Sequence, residues 1–135
     1  MIRSNSAAQR PRLRHALVPT CVALMILGLH ALPGEDIAHA SWLDALHVDK
    51  LIHLGLFALL THSAFVGLGK SGYLRQRALL ISGLFILYGA GLEWMQGAWF
   101  SGRHADILDA FADAMGVVCA WGSFGFIYKK GPKDF

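Results

Sequence analysis

A few short polar motifs interrupt an otherwise apolar chain, and they hold most of its chemistry-bearing side chains. Asp49-Lys50-x-x-His53 gathers an acid, a fixed cation and an imidazole within one helical turn. Asp49 and His53 are four residues apart and so share a helix face. Glu93-x-x-Gln96 places a carboxyl and an amide at the usual i, i+3 spacing. Arg103, Asp106, Asp109 and Asp113 follow. At 100° per residue the three aspartates span only about 60° of a helix. If that helix begins near Asp106, Asp113 lies roughly 10 Å along it. In a membrane, a charge near a helix centre costs about 2.5–3.5 kcal/mol on insertion scales. Asp109 and Asp113 are therefore expected to face a bundle interior or a wet cavity, with Lys50, Arg103 and His53 as available partners.

These residue types suit two tasks. Lys50, Arg103 and a protonated His53 can hold a phosphate or carboxylate by charge-assisted hydrogen bonds, with Gln96 adding an amide contact. His53, Glu93 and Asp109 are the candidate acid/base groups if a reaction occurs. Asp49 and Asp113 complete the expected ligand-binding set. The balance of charge constrains this site. Asp49, Glu93, Asp106, Asp109 and Asp113 face only two fixed cations, Lys50 and Arg103. Either some carboxyls are protonated, or a further cation joins them, or some lie in open water. For Asp106 the plainer reading is a solvated helix end. The remaining histidines are expected outside the site: His62 lies 180° around its helix from His53, and His30, His39, His47 and His104 lie at or beyond helix ends, where they should face solvent. No metal or cofactor is expected, since there is no H-E-x-x-H and no cysteine ligand pair. No G-x-S-x-G or phosphate-binding loop occurs either.

The elements that must position these groups follow from the charge pattern. The chain has 135 residues, 55% hydrophobic and 16% charged, which suits an integral membrane domain. Ten of the twelve Lys and Arg cluster as Arg3, Arg10, Arg12 and Arg14, then Lys70, Arg75 and Arg77, then Lys129, Lys130 and Lys133, with Lys50 and Arg103 set among the acids. Eight of the nine acids fall between, in Glu35–Asp49 and in Glu93–Asp113. Cationic short loops stay cytoplasmic, so both termini and the middle basic loop are expected inside and the polar motifs outside. Four apolar runs separate the charge blocks: Ala16–Leu32, Leu51–Leu68, Ala78–Leu92 and Ile107–Tyr128. A span needs about 20 residues. The third run is the shortest, extended by Leu74 and the stems of Arg75 and Arg77. Trp42, Trp94, Trp99 and Tyr128 flank the runs as interfacial aromatics do.

The expected fold is all-α: an integral membrane bundle of four transmembrane helices, with a basic cytoplasmic tail (1–14) and the bundle over 15–130. Ala38-His39-Ala40 resembles a signal-peptidase site, but the preceding apolar run exceeds the usual core of such a peptide, so it is read as a retained span. Ala112, Gly116 and Ala120 recur every fourth residue, a ridge on which another helix backbone can lie closely. Ser63 and Gly67 repeat this on a smaller scale, and Gly83, Gly89 and Gly91 thin the third run. Cys21 and Cys119 are expected as buried small apolar residues without a disulfide. Nucleic acid is not an expected partner, because the basic residues sit at helix ends without a patch or stacking aromatics.

The set Asp49-Lys50-x-x-His53, Glu93-x-x-Gln96, Arg103, Asp109, Asp113 and Gly116 resembles the VanZ-like membrane proteins over roughly residues 45–122. Where that family's pattern often has Asn, this chain has Asp113, which implies a protonated carboxyl or a pairing with Arg103. The resemblance implies a small multi-pass protein of the bacterial plasma membrane. The founding member is linked to glycopeptide resistance, in particular to teicoplanin, a phenotype that resemblance alone does not carry to this chain. The leading expectation is an outward-facing polar site for an anionic envelope ligand, such as a lipid-linked phosphate or a cell-wall precursor, with the lipid bilayer as the other partner. The alternatives are a small proton-linked transporter acting as a dimer, and a non-catalytic structural or accessory membrane protein.

Overall fold

The computed structural model describes residues 13–32, 48–99 and 104–129. After a 3-10 turn at Leu13–His15, four helices follow: α1 (Leu17–Ala31), α2 (Val48–Lys70), α3 (Leu74–Trp99) and α4 (Ile107–Tyr128). No strand occurs among the described residues. The last three helices, of 23, 26 and 22 residues, are long and apolar enough to cross a membrane; α1, with 15 residues, is a shorter apolar helix. The chain is a helical membrane protein. Large apolar side chains point outward along every helix, among them Leu24, Leu79, Leu87 and Phe126, as a lipid-facing surface requires.

Local chemistry sets the helix ends. Pro19 falls in the first turn of α1, where backbone N–H groups have no intrahelical partner to lose. Leu32 ends α1 in an extended conformation (φ −64°, ψ 136°), the region forced on a residue that precedes proline. Between α2 and α3, Gly72 turns the chain at φ +73°. Tyr73 N–H donates back to the Leu68 carbonyl at 3.0 Å, which closes the end of α2. Asp106 caps α4: its side chain accepts the Leu108 N–H at 2.8 Å.

The third helix is the clearest departure from the apolar runs. The shortest run marks the longest helix, because Glu93 and Gln96 interrupt hydrophobicity without interrupting the backbone. Both are buried inside the bundle, so the helix continues past them to Trp99. Trp94 and Trp99 lie on its exposed side with ring centroids 5.2 Å apart.

α2 and α4 run parallel and pack most closely. The register is regular: Lys50 meets Asp109, His53 meets Asp113, and His62 meets Ser123. The ridge of small residues makes this possible. A Cβ on Gly116 would collide with the Leu54 carbonyl oxygen and lie 3.0 Å from Phe57 Cβ. Ala112 and Ala120 are buried above and below it. Gly67 receives the His15 carbonyl in the same way at the other end. Gly83 and Gly91, by contrast, have no neighbour in range and are ordinary membrane-helix glycines.

Two apolar clusters fill the interior: Ile26, Phe57, Leu60, Leu92 and Val117, then Phe65, Leu74, Ala78 and Phe124. In lipid their contribution is close packing, since lipid tails are as apolar as the core. Hydrogen bonds add direction. Tyr88 Oη donates to the Ala23 carbonyl at 2.7 Å, fixing α3 to α1, and Trp121 Nε1 donates to Ser82 Oγ at 3.0 Å, fixing α4 to α3. Cys21 and Cys119 are free thiols as expected, but both are exposed on the outer surface of the bundle; a small apolar group is as comfortable against lipid as in the core.

Candidate functional site

The C-terminal ends of α1 and α3 and the N-terminal ends of α2 and α4 lie at one end of the bundle. The described acids, Asp49, Glu93, Asp106, Asp109 and Asp113, are all at this end. Arg14, Lys70, Arg75, Arg77 and Lys129 belong to the other end. The polar end divides into an outer clamp and an inner niche.

The clamp is built on Lys50. Its ammonium donates to Asp106 Oδ2 at 2.7 Å, to Asp109 Oδ1 at 2.7 Å and to Asp49 Oδ2 at 3.2 Å. An ammonium has three protons, so these three carboxylates saturate it. Exposure grades across the group: the Asp109 side chain is 14% exposed, Asp106 42% and Asp49 56%. Asp106 lies just outside α4. The Lys50 ammonium, then the Leu108 N–H, hold its carboxyl below the ordinary value of 3.8. The expected anion-binding cation is thus engaged by acids, and it ties α2 to the start of α4.

The niche lies one layer deeper and contains His30, His53, Glu93 and Asp113. Each offers one polar atom, and these four atoms lie within 4.8 Å of one another. His53 Nδ1 is 2.9 Å from Asp113 Oδ1 and 3.8 Å from Glu93 Oε1; His30 Nε2 is 3.7 Å from Glu93 Oε1. The two imidazoles meet edge to face with centroids 5.0 Å apart. Three members are almost fully buried: Asp113 is 0% exposed, His30 4% and Glu93 4%.

The supports of these groups are specific. His30 Nδ1 lies 2.9 Å from the Ile26 carbonyl oxygen, which can only accept, so Nδ1 carries the proton. In the neutral ring, Nε2 then presents a lone pair to the niche. Glu93 Oε2 accepts the Asp106 N–H at 3.2 Å, leaving Oε1 turned inward. Asp113 lies against Gly89, where a Cβ would come within 2.7 Å of Oδ2. This glycine, unlike Gly83, is needed for space. His30 Nε2, Glu93 Oε1 and Asp113 Oδ2 are all buried without a hydrogen-bond partner among the described residues. An unsatisfied buried polar atom costs about 1–3 kcal/mol.

Of the expected ligand-binding residues, the niche unites His53, Glu93 and Asp113, and the clamp unites Asp49, Lys50 and Asp109. Gln96 is buried beside them, its amide 3.5 Å from the His30 carbonyl oxygen. Arg103 lies outside the described residues, as do His39, His47 and Trp42. Asp113 pairs with His53. His62 bonds Ser123 of the neighbouring helix, away from the site, and His104 is exposed.

One histidine expectation is corrected. His30 was expected to face solvent, yet it is buried at the centre of the niche. The reason is helical register: His30 lies one turn beyond Ile26, which is also buried, and shares its inward face. That i, i+4 relation was the available signal. No family model, curated protein or solved structure matches this chain.

Proposed function

We propose that the protein is a VanZ-like protein of the bacterial plasma membrane whose polar niche opens on the periplasmic side and takes up an anionic envelope ligand, a lipid-linked phosphate or a cell-wall precursor. The orientation follows from charge: the end with Arg14, Lys70, Arg75 and Arg77 is the one retained in the cytoplasm. The observation that carries a binding role is the trio of buried acceptor atoms on His30, Glu93 and Asp113, without partners among the described residues, which a proton or cation must join before an anion can lie beside them. A network whose only task was to lock helices would close on itself, as the Lys50 clamp does. The clamp is accordingly structural, and the niche, once a proton or cation has joined it, is where the ligand binds.

Because Lys50 is saturated, direct contact with the anion falls to Arg103 and to the Gln96 amide. His53 and Glu93 are the acid/base groups should a reaction take place, since Asp109 is engaged by Lys50. The test is binding of a polyprenyl phosphate to the protein in lipid nanodiscs. One charge-assisted hydrogen bond is worth about 1.5–3 kcal/mol, so Arg103→Ala should weaken binding roughly 10- to 100-fold. Equal affinity in both proteins removes the reading.

A second reading, proton-linked transport by a dimer, is favoured by one contact. His30 Nε2 and Glu93 Oε1 face each other at 3.7 Å as two acceptors, a position that attracts a proton. Vesicles carrying wild type, Glu93→Gln or Asp113→Asn separate the two: pH-driven uptake lost in the variants supports transport, and no proton movement in wild type excludes it.

A further inference from the structure

We infer that His30, His53, Glu93 and Asp113 form a binding site for a divalent transition-metal ion of the zinc class, one ligand from each helix. The inference does not depend on the anionic-ligand reading, because it concerns what the niche residues bind by themselves.

Four observations carry it. The first is spacing. Metal–nitrogen and metal–oxygen bonds to zinc are about 2.0–2.2 Å, so tetrahedral ligand atoms stand roughly 3.3–3.6 Å apart. The separations here are 2.9, 3.7 and 3.8 Å, and all four atoms fit within 4.8 Å. Movements of about an ångström, with loss of the His53 Nδ1 proton, separate this arrangement from a coordination shell.

The second is hydrogen-bond polarity. Glu93 Oε1 and Asp113 Oδ2 are acceptors when ionised, and His30 Nε2 is a lone pair because Nδ1 is committed to the Ile26 carbonyl. With Asp113 ionised, the niche's one donor among the described residues, His53 Nδ1–H, is given to Asp113 Oδ1 at 2.9 Å, and a dication that replaces this proton satisfies the converging acceptors together. A protein–metal ligand histidine characteristically donates its other ring N–H to a carbonyl or carboxylate, which fixes the tautomer. His30 does this at 2.9 Å.

The third is charge. Two carboxylates and two neutral imidazoles carry −2, and a dication brings the buried set to zero. That matters because Asp113 and Glu93 are 0% and 4% exposed within a bundle surrounded by lipid. Lys50 does not supply the balance, since its three protons point to Asp49, Asp106 and Asp109.

The fourth is support. Glu93 is held through Oε2 by the Asp106 N–H, and Gly89 leaves the space that Asp113 occupies. Each carboxylate is thereby positioned with one oxygen free. Two imidazole nitrogens with two carboxylate oxygens favour zinc, manganese, iron(II) or cobalt over magnesium and calcium, which take all-oxygen shells.

The experiment uses the full-length protein in detergent, stripped with chelator, then titrated with Zn2+ calorimetrically and with Co2+ by visible absorption. One ion per chain is expected, with the strong visible bands of four-coordinate Co2+. Second-shell losses cost metal sites about 10- to 100-fold in affinity, so Glu93→Gln and His30→Gln, which remove direct ligands, should each lose more than about 100-fold. His62→Ala, outside the niche, should bind like wild type. Wild type that takes up no stoichiometric ion overturns the inference, as does Glu93→Gln binding equally well. If a variant does not fold, the wild-type Co2+ spectrum decides: six-coordinate, weak bands refute the site. Metal binding without polyprenyl phosphate binding leaves this site standing and removes only the ligand reading.

Discussion

Substitution of Gly116 by alanine adds one methyl group where α4 lies directly on the α2 backbone. The new Cβ would overlap the Leu54 carbonyl oxygen and lie 3.0 Å from Ala58 N and Phe57 Cβ. Carbon atoms in ordinary contact sit about 3.5–4.0 Å apart, so α2 and α4 must separate by roughly 0.5–1 Å. Overpacking of this kind costs about 1–3 kcal/mol, and the upper part of the range applies because the obstacle is backbone that no rotamer change can move. Against this stands the helix-propensity gain of glycine to alanine, about 0.5–1 kcal/mol. Gly83→Ala and Gly122→Ala share that gain, but their Cβ atoms meet nothing within 4 Å. The difference between Gly116→Ala and these two controls therefore isolates the packing cost. The separation also reaches the niche. Asp113 lies one turn before Gly116, and its 2.9 Å contact with His53 would lengthen beyond hydrogen-bond range. The assay is reversible unfolding in mixed micelles by SDS titration, followed by helical circular dichroism. The controls should equal or exceed wild type in stability, and Gly116→Ala should fall below it. If all three variants unfold at the same denaturant fraction, the close α2–α4 approach is not real, and the register that builds the site goes with it.

Four further outcomes follow from the same geometry. Lys50→Met should cost about 1–3 kcal/mol, between the values for exposed and buried pairs, and adding Asp109→Asn should recover part of the loss in a double-mutant cycle. Gly89→Ala should displace Asp113 and change the His53 ring resonances in NMR while leaving helix content intact. Asp106 titrates below its ordinary value because Lys50 favours its charged form, so its contribution to stability is complete above pH 3.8 and is lost as pH falls through the lowered value; melting temperature should drop in that acid window, and less so in Asp106→Asn. Reporter fusions at Ser71 should report a cytoplasmic position, and a periplasmic signal there would reverse the proposed orientation.

The helical bundle was legible because membranes restrict the options. Apolar length and alternating charge blocks mark four helices, and α4 coincides with its apolar run from Ile107 to Tyr128. The small-residue ridge also announced itself, since spacing of four places Ala112, Gly116 and Ala120 on one face. Three things were hidden. The extent of α3 was concealed by Glu93 and Gln96, because hydropathy reads a buried polar side chain as the end of a span. The role of His30 was concealed by its position beside Pro33-Gly34, where a helix end resembles a solvent boundary. The division of the acids into clamp and niche was concealed because it depends on Lys50 reaching α4 across a gap of 56 and 59 residues in sequence. Metal-motif spacing could not find the niche either, since no two of its members share a helix.

That last property has a consequence for biogenesis. The chain threads into the bilayer from its N-terminal side, and its polar interior has no complete shelter until the final segment arrives. Before then Glu93 and both imidazoles sit among half-assembled helices without Asp113. A product that ends before α4 therefore leaves Glu93 and both imidazoles without the helix and the carboxyl that complete their enclosure.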